Sequence, residues 1–317
     1  MKTLKTYCSL HATPGDEGEV FDRLTDDWKA AGLDTRRLGT YAVVAEPAER
    51  KKASTILLVA HADSPGFIVA SVVSPTELKV LVLGGISPDE DRNLCLKTTA
   101  GRFPARLHAP ENLDEWRRAM PLKVTLPEPV PSVKPGDRLC WAFNWREEDG
   151  TVYSPFLDNR IACALVADWH AKYASLLREY NVIVAATAME EVNGFGAAVL
   201  AHNVSADAVI VLDVTYENED QQVRMGQGPV VTLCDASVLL SPALRNRLQA
   251  DIPGLQFEVY NYSGTDARAF PTQGVPTPTV PLLLPTRGNH SYEESIAAAD
   301  LKGWPKAIAG LARTLCP

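Results

Sequence analysis

Residues 54–63 read STILLVAHAD: an apolar run that ends in a histidine and an aspartate two positions apart. A short continuous run of this kind suits a strand buried on both faces, as in a parallel sheet. Three later stretches repeat the form: NVIVAATAMEE (181–191), DAVIVLDVTY (207–216) and PTPTVPLLLPT (276–286). Helix-like segments alternate with them. TPGDEGEVFDRLTDDWKAAG (13–32) sets Val20, Phe21, Leu24 and Trp28 at helical spacing, with Gly32 as a stop. NRIACALVADWHAKYASLL (159–177), GFGAAVLAHNV (194–204), SPALRNRLQA (241–250) and AIAGLARTL (307–315) also read as helices, and TYAVVAE (40–46) as one more strand. Alternation of this kind predicts an α/β fold, a mixed sheet flanked by helices.

The texture changes between residues 65 and 153. ELKVLVLGG, NLCLKTT, RFPARLHA and DRLCWAFNW are short β-like runs punctuated by Pro and Gly, and only ENLDEWRRAM (111–120) looks helical. We expect a small β-rich unit at 65–153, inserted into an α/β domain formed by 1–64 and 154–317. A chain of 317 residues has the length for two such units.

The bulk numbers exclude several classes. A net charge of −8 lacks the basic footprint of a nucleic-acid binder. No stretch has the length of a membrane span, and the first residues lack the apolar core of a signal peptide. The six cysteines are scattered with no CxxC pair, which favours reduced thiols over a disulfide frame or a thiolate metal site. A cytoplasmic protein without nucleic-acid or membrane partners is expected.

Residues able to hold metal gather where the apolar runs end. His61 and Asp63 close the first, Glu190 and Glu191 the second, and Asp213 the third, while His290 lies just past the fourth. Ligands in open α/β sheets bind beyond the carboxyl ends of the strands. Asp158, just before a helix, can join them. Any one of these residues would more often be a helix cap or a hydrogen-bonded core side chain. Four strand ends repeating the pattern favour a shared site. Asp63 points the same way as His61 on an extended backbone and can fix its tautomer. Glu190 and Glu191 are adjacent and must diverge, so one can bind metal while the other faces substrate as a general base. With Asp158, Glu191 and Asp213 as ligands, three carboxylates and a bridging hydroxide balance two divalent ions. Oxygen and imidazole donors suit Zn, Co or Mn.

The ordered set VAHADSPGF, SPFLDNR, AMEEVNGFGA, VIVLDVT, YSGTDARAF and LLPTRGNHSYEE resembles the tetrahedral, or deblocking, aminopeptidases, some of whose members are called cellulase-like. The resemblance spans almost the whole chain. It implies a zinc-peptidase-like fold, with Asp158 bridging two metals. His61 and Asp213 would complete one site, and Glu191 and His290 the other. Glu190 would be the base that activates the bridging water. It also implies that the insertion is a dimerisation domain, and that dimers assemble into hollow tetrahedral dodecamers. This chain departs from the family pattern at Ser64 and Pro65, at Asn159 where an Asp is usual, at Arg268 and at HSYEE.

The function expected is removal of N-terminal residues from peptides with a free amino terminus, using two divalent ions, Zn or Co before Mn. Arg268 is a candidate for binding acidic first residues, against a solvent-facing or interface salt bridge. A two-metal deacylase acting on N-acyl amino acids or dipeptides is the alternative, followed by a non-catalytic metal-binding scaffold. A paired-carboxylate glycosidase is disfavoured because the acids come with histidines.

Overall fold

In a computed structural model of the chain, residues 1–260 and 263–317 are described. Tyr262, which opens the quoted YSGTDARAF stretch, lies outside them. The four apolar runs form the strands Thr55–His61, Asn181–Thr187, Ala208–Tyr216 and Thr279–Arg287. All four are parallel, with Thr55–His61 between Asn181–Thr187 and Ala208–Tyr216, and Thr279–Arg287 outside the latter. Successive side chains leave opposite faces of a strand. Accordingly Ile56 and Leu58 enter one core while Leu57 and Val59 enter another. The helices Gly18–Ala30, Leu157–Asp168 and Ala298–Leu315 cover the first face, and Phe195–Asn203 covers the second.

Register decides what meets at the sheet edge. Thr187 pairs with His61, so their strands end level. The Ala208–Tyr216 strand pairs with Thr55–His61 only as far as Val211 opposite Val59, and then continues beside Thr279–Arg287. Asp213 therefore emerges where the sheet opens, before its own strand ends. Antiparallel strands extend both margins to make an eleven-stranded sheet.

The inserted unit is a closed six-stranded barrel of Gly66–Ser74, Glu77–Leu83, Leu122–Thr125, Gly101–His108, Arg92–Thr98 and Arg138–Trp141, in that order around the wall. Closure leaves it no free edge. The Arg146–Glu148 and Thr151–Ser154 strands, within the stretch read as insertion, pair into the large sheet. One expected element is absent. Residues 111–120 form turns instead of a helix, with the Trp116 amide donating to Asn112 and Leu113 carbonyls. Leu113 and Met120 stay exposed there, so the stretch has no apolar stripe to bury. Among the described residues no helix is long and apolar enough to cross a membrane.

Candidate metal centre

His61 is the last residue of its strand and is buried. Its Nε2 lies 3.1 Å from Asp158 Oδ1 and 3.3 Å from Asp213 Oδ1. Across the cluster, His290 Nε2 lies 3.2 Å from both Asp158 Oδ2 and Glu191 Oε2. Asp158 thus reaches two triads with its two oxygens: His61–Asp158–Asp213 and Asp158–Glu191–His290. Glu190 also approaches His61 and Glu191 within 4.8 Å. Of the residues singled out in the sequence, all five candidate ligands and Glu190 come together around one cavity of about 510 Å³. Arg268 stands on its wall, with no ion pair within 4 Å among the described residues, and Asp63 lies beneath the floor.

The donor spacing can be tested against an ion. Bonds of about 2.0–2.1 Å in a tetrahedral shell hold ligand atoms about 3.3 Å apart. The four contacts above run from 3.1 to 3.3 Å. Glu191 Oε1, and Asp158 Oδ1 apart from its approach to His61 Nε2, are buried with no hydrogen-bond partner among the described residues, an expensive state for a carboxylate oxygen unless a cation meets it. Five carboxylates (Asp63, Asp158, Glu190, Glu191 and Asp213) crowd around two imidazoles. The donor set fits divalent cations well.

The electrostatics express the same crowding. Burial would depress both histidines, but carboxylates outweigh it. Asp213, Asp158 and Asp63 push His61 well above its usual value, and Glu191 with Asp158 pushes His290 up to about 10. Burial, reinforced by neighbouring carboxylates, raises Glu190 and Glu191 well above the usual range. Burial works against ionisation of Asp158 as well, yet contacts with His290 and His61 hold it below normal.

Backbone geometry aims these side chains. Phe156, Met189 and His290 all have positive φ (71°, 60° and 66°) without being glycine. Such residues cost energy and persist where surrounding contacts hold them. Each lies at or within two residues of a candidate ligand or base. Asp63 supplies one restraint: its carboxylate accepts from the Glu190 and Glu191 amides, both at 3.1 Å. The expected tautomer contact is less direct. Asp63 Oδ1 stands 3.6 Å from His61 Nδ1, and the backbone oxygen of Asp63 stands nearer, at 3.1 Å.

Several supporting residues escaped the sequence reading. Glu294, 2% exposed, accepts from the Asp158 amide at 2.8 Å and the His290 amide at 2.9 Å. It ties two ligand segments far apart in sequence; an acid four residues after His290 was the available signal. Glu17 accepts from the Met189 amide at 3.1 Å. Buried Arg160 donates to the carbonyls of Ala62 and Ala12 and to Ser64 Oγ. The departures Ser64 and Asn159 also gain roles. Ser64 Oγ donates to the Asp158 carbonyl at 2.5 Å, and Asn159 Nδ2 donates to the Leu212 carbonyl at 2.8 Å. From the barrel, Gly85 packs so closely on His290 that a Cβ there would lie 2.6 Å from Nδ1.

A family model described as M42 glutamyl aminopeptidase matches residues 130–306. The glutamyl aminopeptidase of Lactococcus lactis is 23% identical over 329 residues, covering 92% of this chain and 89% of that protein. The TET1 peptidase of Pyrococcus horikoshii, which can assemble into a tetrahedron or a large octahedral shell, superposes with TM-score 0.85 at 23% identity, over 98% of each chain. A TET aminopeptidase from a marine-sediment archaeon of the Thaumarchaeota superposes with TM-score 0.88 at 21% identity, over 99% of this chain and 98% of that one. At these identities the superpositions establish a common fold.

Proposed function

The chain belongs to the M42 glutamyl aminopeptidase family, a family of divalent-metal hydrolases, and from that premise we propose that it removes single residues from peptide amino termini with two ions held by His61, Asp158, Asp213, Glu191 and His290. The observation that carries this reading is the double triad sharing Asp158, its donors spaced as for metal and Glu191 Oε1 buried without a hydrogen-bond partner among the described residues. Nitrogen and oxygen donors favour Zn or Co, with Mn also suited. When bound, such ions polarise the scissile carbonyl and acidify water.

The chain's own residues supply the rest. Glu190 lines the cavity beside both triads but lies outside the pair that shares Asp158. It takes the proton from the attacking water and delivers it to the leaving amine. Asp63 and Glu17, through the backbone of residues 189–191, hold Glu190 and Glu191 apart in orientation. Glu294 holds Asp158 and His290 together. Tyr216 and Tyr260 on the cavity wall exclude water from the substrate's flank.

Arg268 reads an acidic first side chain. Its place in the cavity, without an ion-pair partner among the described residues, and the glutamyl specificity in the name of the Lactococcus relative support this. The barrel, residues 66–141, is the dimerisation unit, and the assembled form is a dimer or a tetrahedral dodecamer built from such dimers. No disulfide joins the six cysteines among the described residues, which supports a reducing compartment such as the cytoplasm.

The test is kinetics on Glu-, Leu- and Lys-anilides and their N-acylated counterparts, with Arg268→Gly alongside. Cleavage of free-amine anilides, fastest for Glu and less selective in the variant, is the expected outcome. Preference for the N-acylated substrates would favour the deacylase reading. Equal rates on all three free anilides would remove the role given to Arg268.

A further inference from the structure

Cys95 and Cys140 face each other across the barrel wall, where the Arg92–Thr98 strand pairs antiparallel with Arg138–Trp141. Directly opposed residues in such a pair have Cα atoms about 4.5–5.5 Å apart, within the disulfide range of about 4.4–6.8 Å. The two thiols stand within hydrogen-bonding reach of each other. Their neighbours fix the side they occupy. Leu94 and Leu96 are buried in the barrel core, as is Leu139 opposite Leu96. Alternation therefore turns Cys95 and Cys140 to the side of the strands opposite those leucines, where Cys140 still belongs to the barrel's buried cluster and Cys95 packs against it.

The same row continues with Lys97 and Arg138, opposite each other on the two strands. These bind the loop that leads into the catalytic domain's first long helix: Lys97 Nζ lies 2.8 Å from Asp16 Oδ1, and Arg138 Nε donates to the Pro14 carbonyl at 3.3 Å. The thiols thus sit at the seam between barrel and catalytic domain. Cys140 is buried there, whereas Cys95 remains half-buried and reachable. The rest of the complement is arranged differently: Cys8 and Cys163 are sealed in the main core, and Cys234 and Cys316 lie on separate elements.

We propose that Cys95 and Cys140 form a redox modification site, in which Cys95 is oxidised by hydroperoxides and Cys140 resolves it to a reversible disulfide. The geometry brings a reachable thiol and a buried partner together. Charge assigns their order: the contact with Cys140 and the Lys97 ammonium hold the Cys95 thiol below its usual range, while that contact and burial push Cys140 well up. A thiol biased toward thiolate is the nucleophile. Its sulfur attacks the hydroperoxide, the O–O bond breaks, and an alcohol or water leaves with a proton. Cys140, losing its proton, then attacks the Cys95 sulfenic acid; the S–S bond forms and water departs. In all, two thiols are oxidised by two electrons, and one hydroperoxide becomes one alcohol and one water. A dithiol reverses the step by exchange. This inference is independent of the peptidase reading.

The experiment treats the purified, metal-loaded protein with graded hydrogen peroxide, denatures it in an alkylating reagent and maps every cysteine by mass spectrometry. Alkylation of Cys95 and Cys140 is expected to be lost together, with a linked Cys95–Cys140 peptide that dithiothreitol removes, while Cys8 and Cys163 stay fully alkylated. In Cys140→Ser, Cys95 should be trapped by dimedone as sulfenic acid; in Cys95→Ser, Cys140 should stay unreacted. Persistence of both free thiols after Cys234 or Cys316 has oxidised would overturn the proposal, as would Cys95 passing to sulfinic acid in the wild-type chain with Cys140 untouched. Mapping the wild-type chain decides the question even if a variant fails to fold.

Discussion

Glu190 and Glu191 are adjacent in sequence, yet the site gives them different neighbours. Glu191 belongs to the triad with Asp158 and His290, and Glu190 does not. Glu190→Gln keeps the shape and removes the base. Its kcat should fall by about 10²–10⁴-fold, with metal content unchanged by elemental analysis. Asn159 is a second decisive residue. Its amide must donate to the Leu212 carbonyl, just before Asp213, while its oxygen accepts from Ala162. Aspartate cannot donate when ionised, so Asn159→Asp should cost roughly 1–3 kcal/mol in denaturant unfolding; an unchanged midpoint would count against that contact. Glu258 allows a pH test away from the metal ligands. Burial raises its pKa, although the Thr215 and Thr232 hydroxyls donate to it. The folded state therefore prefers the protonated acid, so Glu258 stabilises most below its unfolded pKa of about 4.3. That contribution is lost as pH rises toward the folded value. Glu258→Gln should gain stability over the wild type as pH rises from that point, and the gain should vanish in acid. A pH-independent difference would exclude titration of Glu258 as its source.

At the scale of elements, the sequence showed the four buried strands clearly because each is apolar on both faces and ends in polar residues. It also placed His61, Asp63, Glu190, Glu191, Asp213 and His290 near the edge where those strands stop. Other features were hidden because they depend on pairing between distant segments. Glu294 acts by joining residues 158 and 290, and Arg160 by reaching back to residues 12 and 62. Apart from the place of Glu294 four residues after His290, nothing local distinguishes either from a surface charge. Residues 111–120 misled in the opposite direction, since helix-forming residue types there lack a face to bury. The barrel loop after Glu77–Leu83 carries the least expected contact, Gly85 against the His290 ring. Gly85→Ala should displace that imidazole and weaken metal binding by about 10–100-fold, the usual effect of disturbing a ligand's support. A chelator competition would show this, and circular dichroism would verify that the fold is intact. Unaltered metal affinity would mean that the loop yields instead of the ring.

For the whole molecule, the barrel and the sheet meet around the metal centre, so metal should stabilise both. Ions that bind only the folded chain raise its melting temperature in proportion to their excess over the dissociation constant. Chelation should lower the midpoint, and light scattering on the same samples should show whether the assembly loosens with it. A mass that is a multiple of the dimer is expected for the metal-loaded protein, and a monomer would count against dimerisation through the barrel. The central claim, two cooperating ions bound through a shared Asp158, is tested most directly by titrating divalent metal into the chelator-treated enzyme while following release of nitroaniline from a Glu-anilide. Activity should rise until two equivalents per chain are bound and then level off. Full activity at one equivalent, or turnover by the metal-free chain, would contradict it.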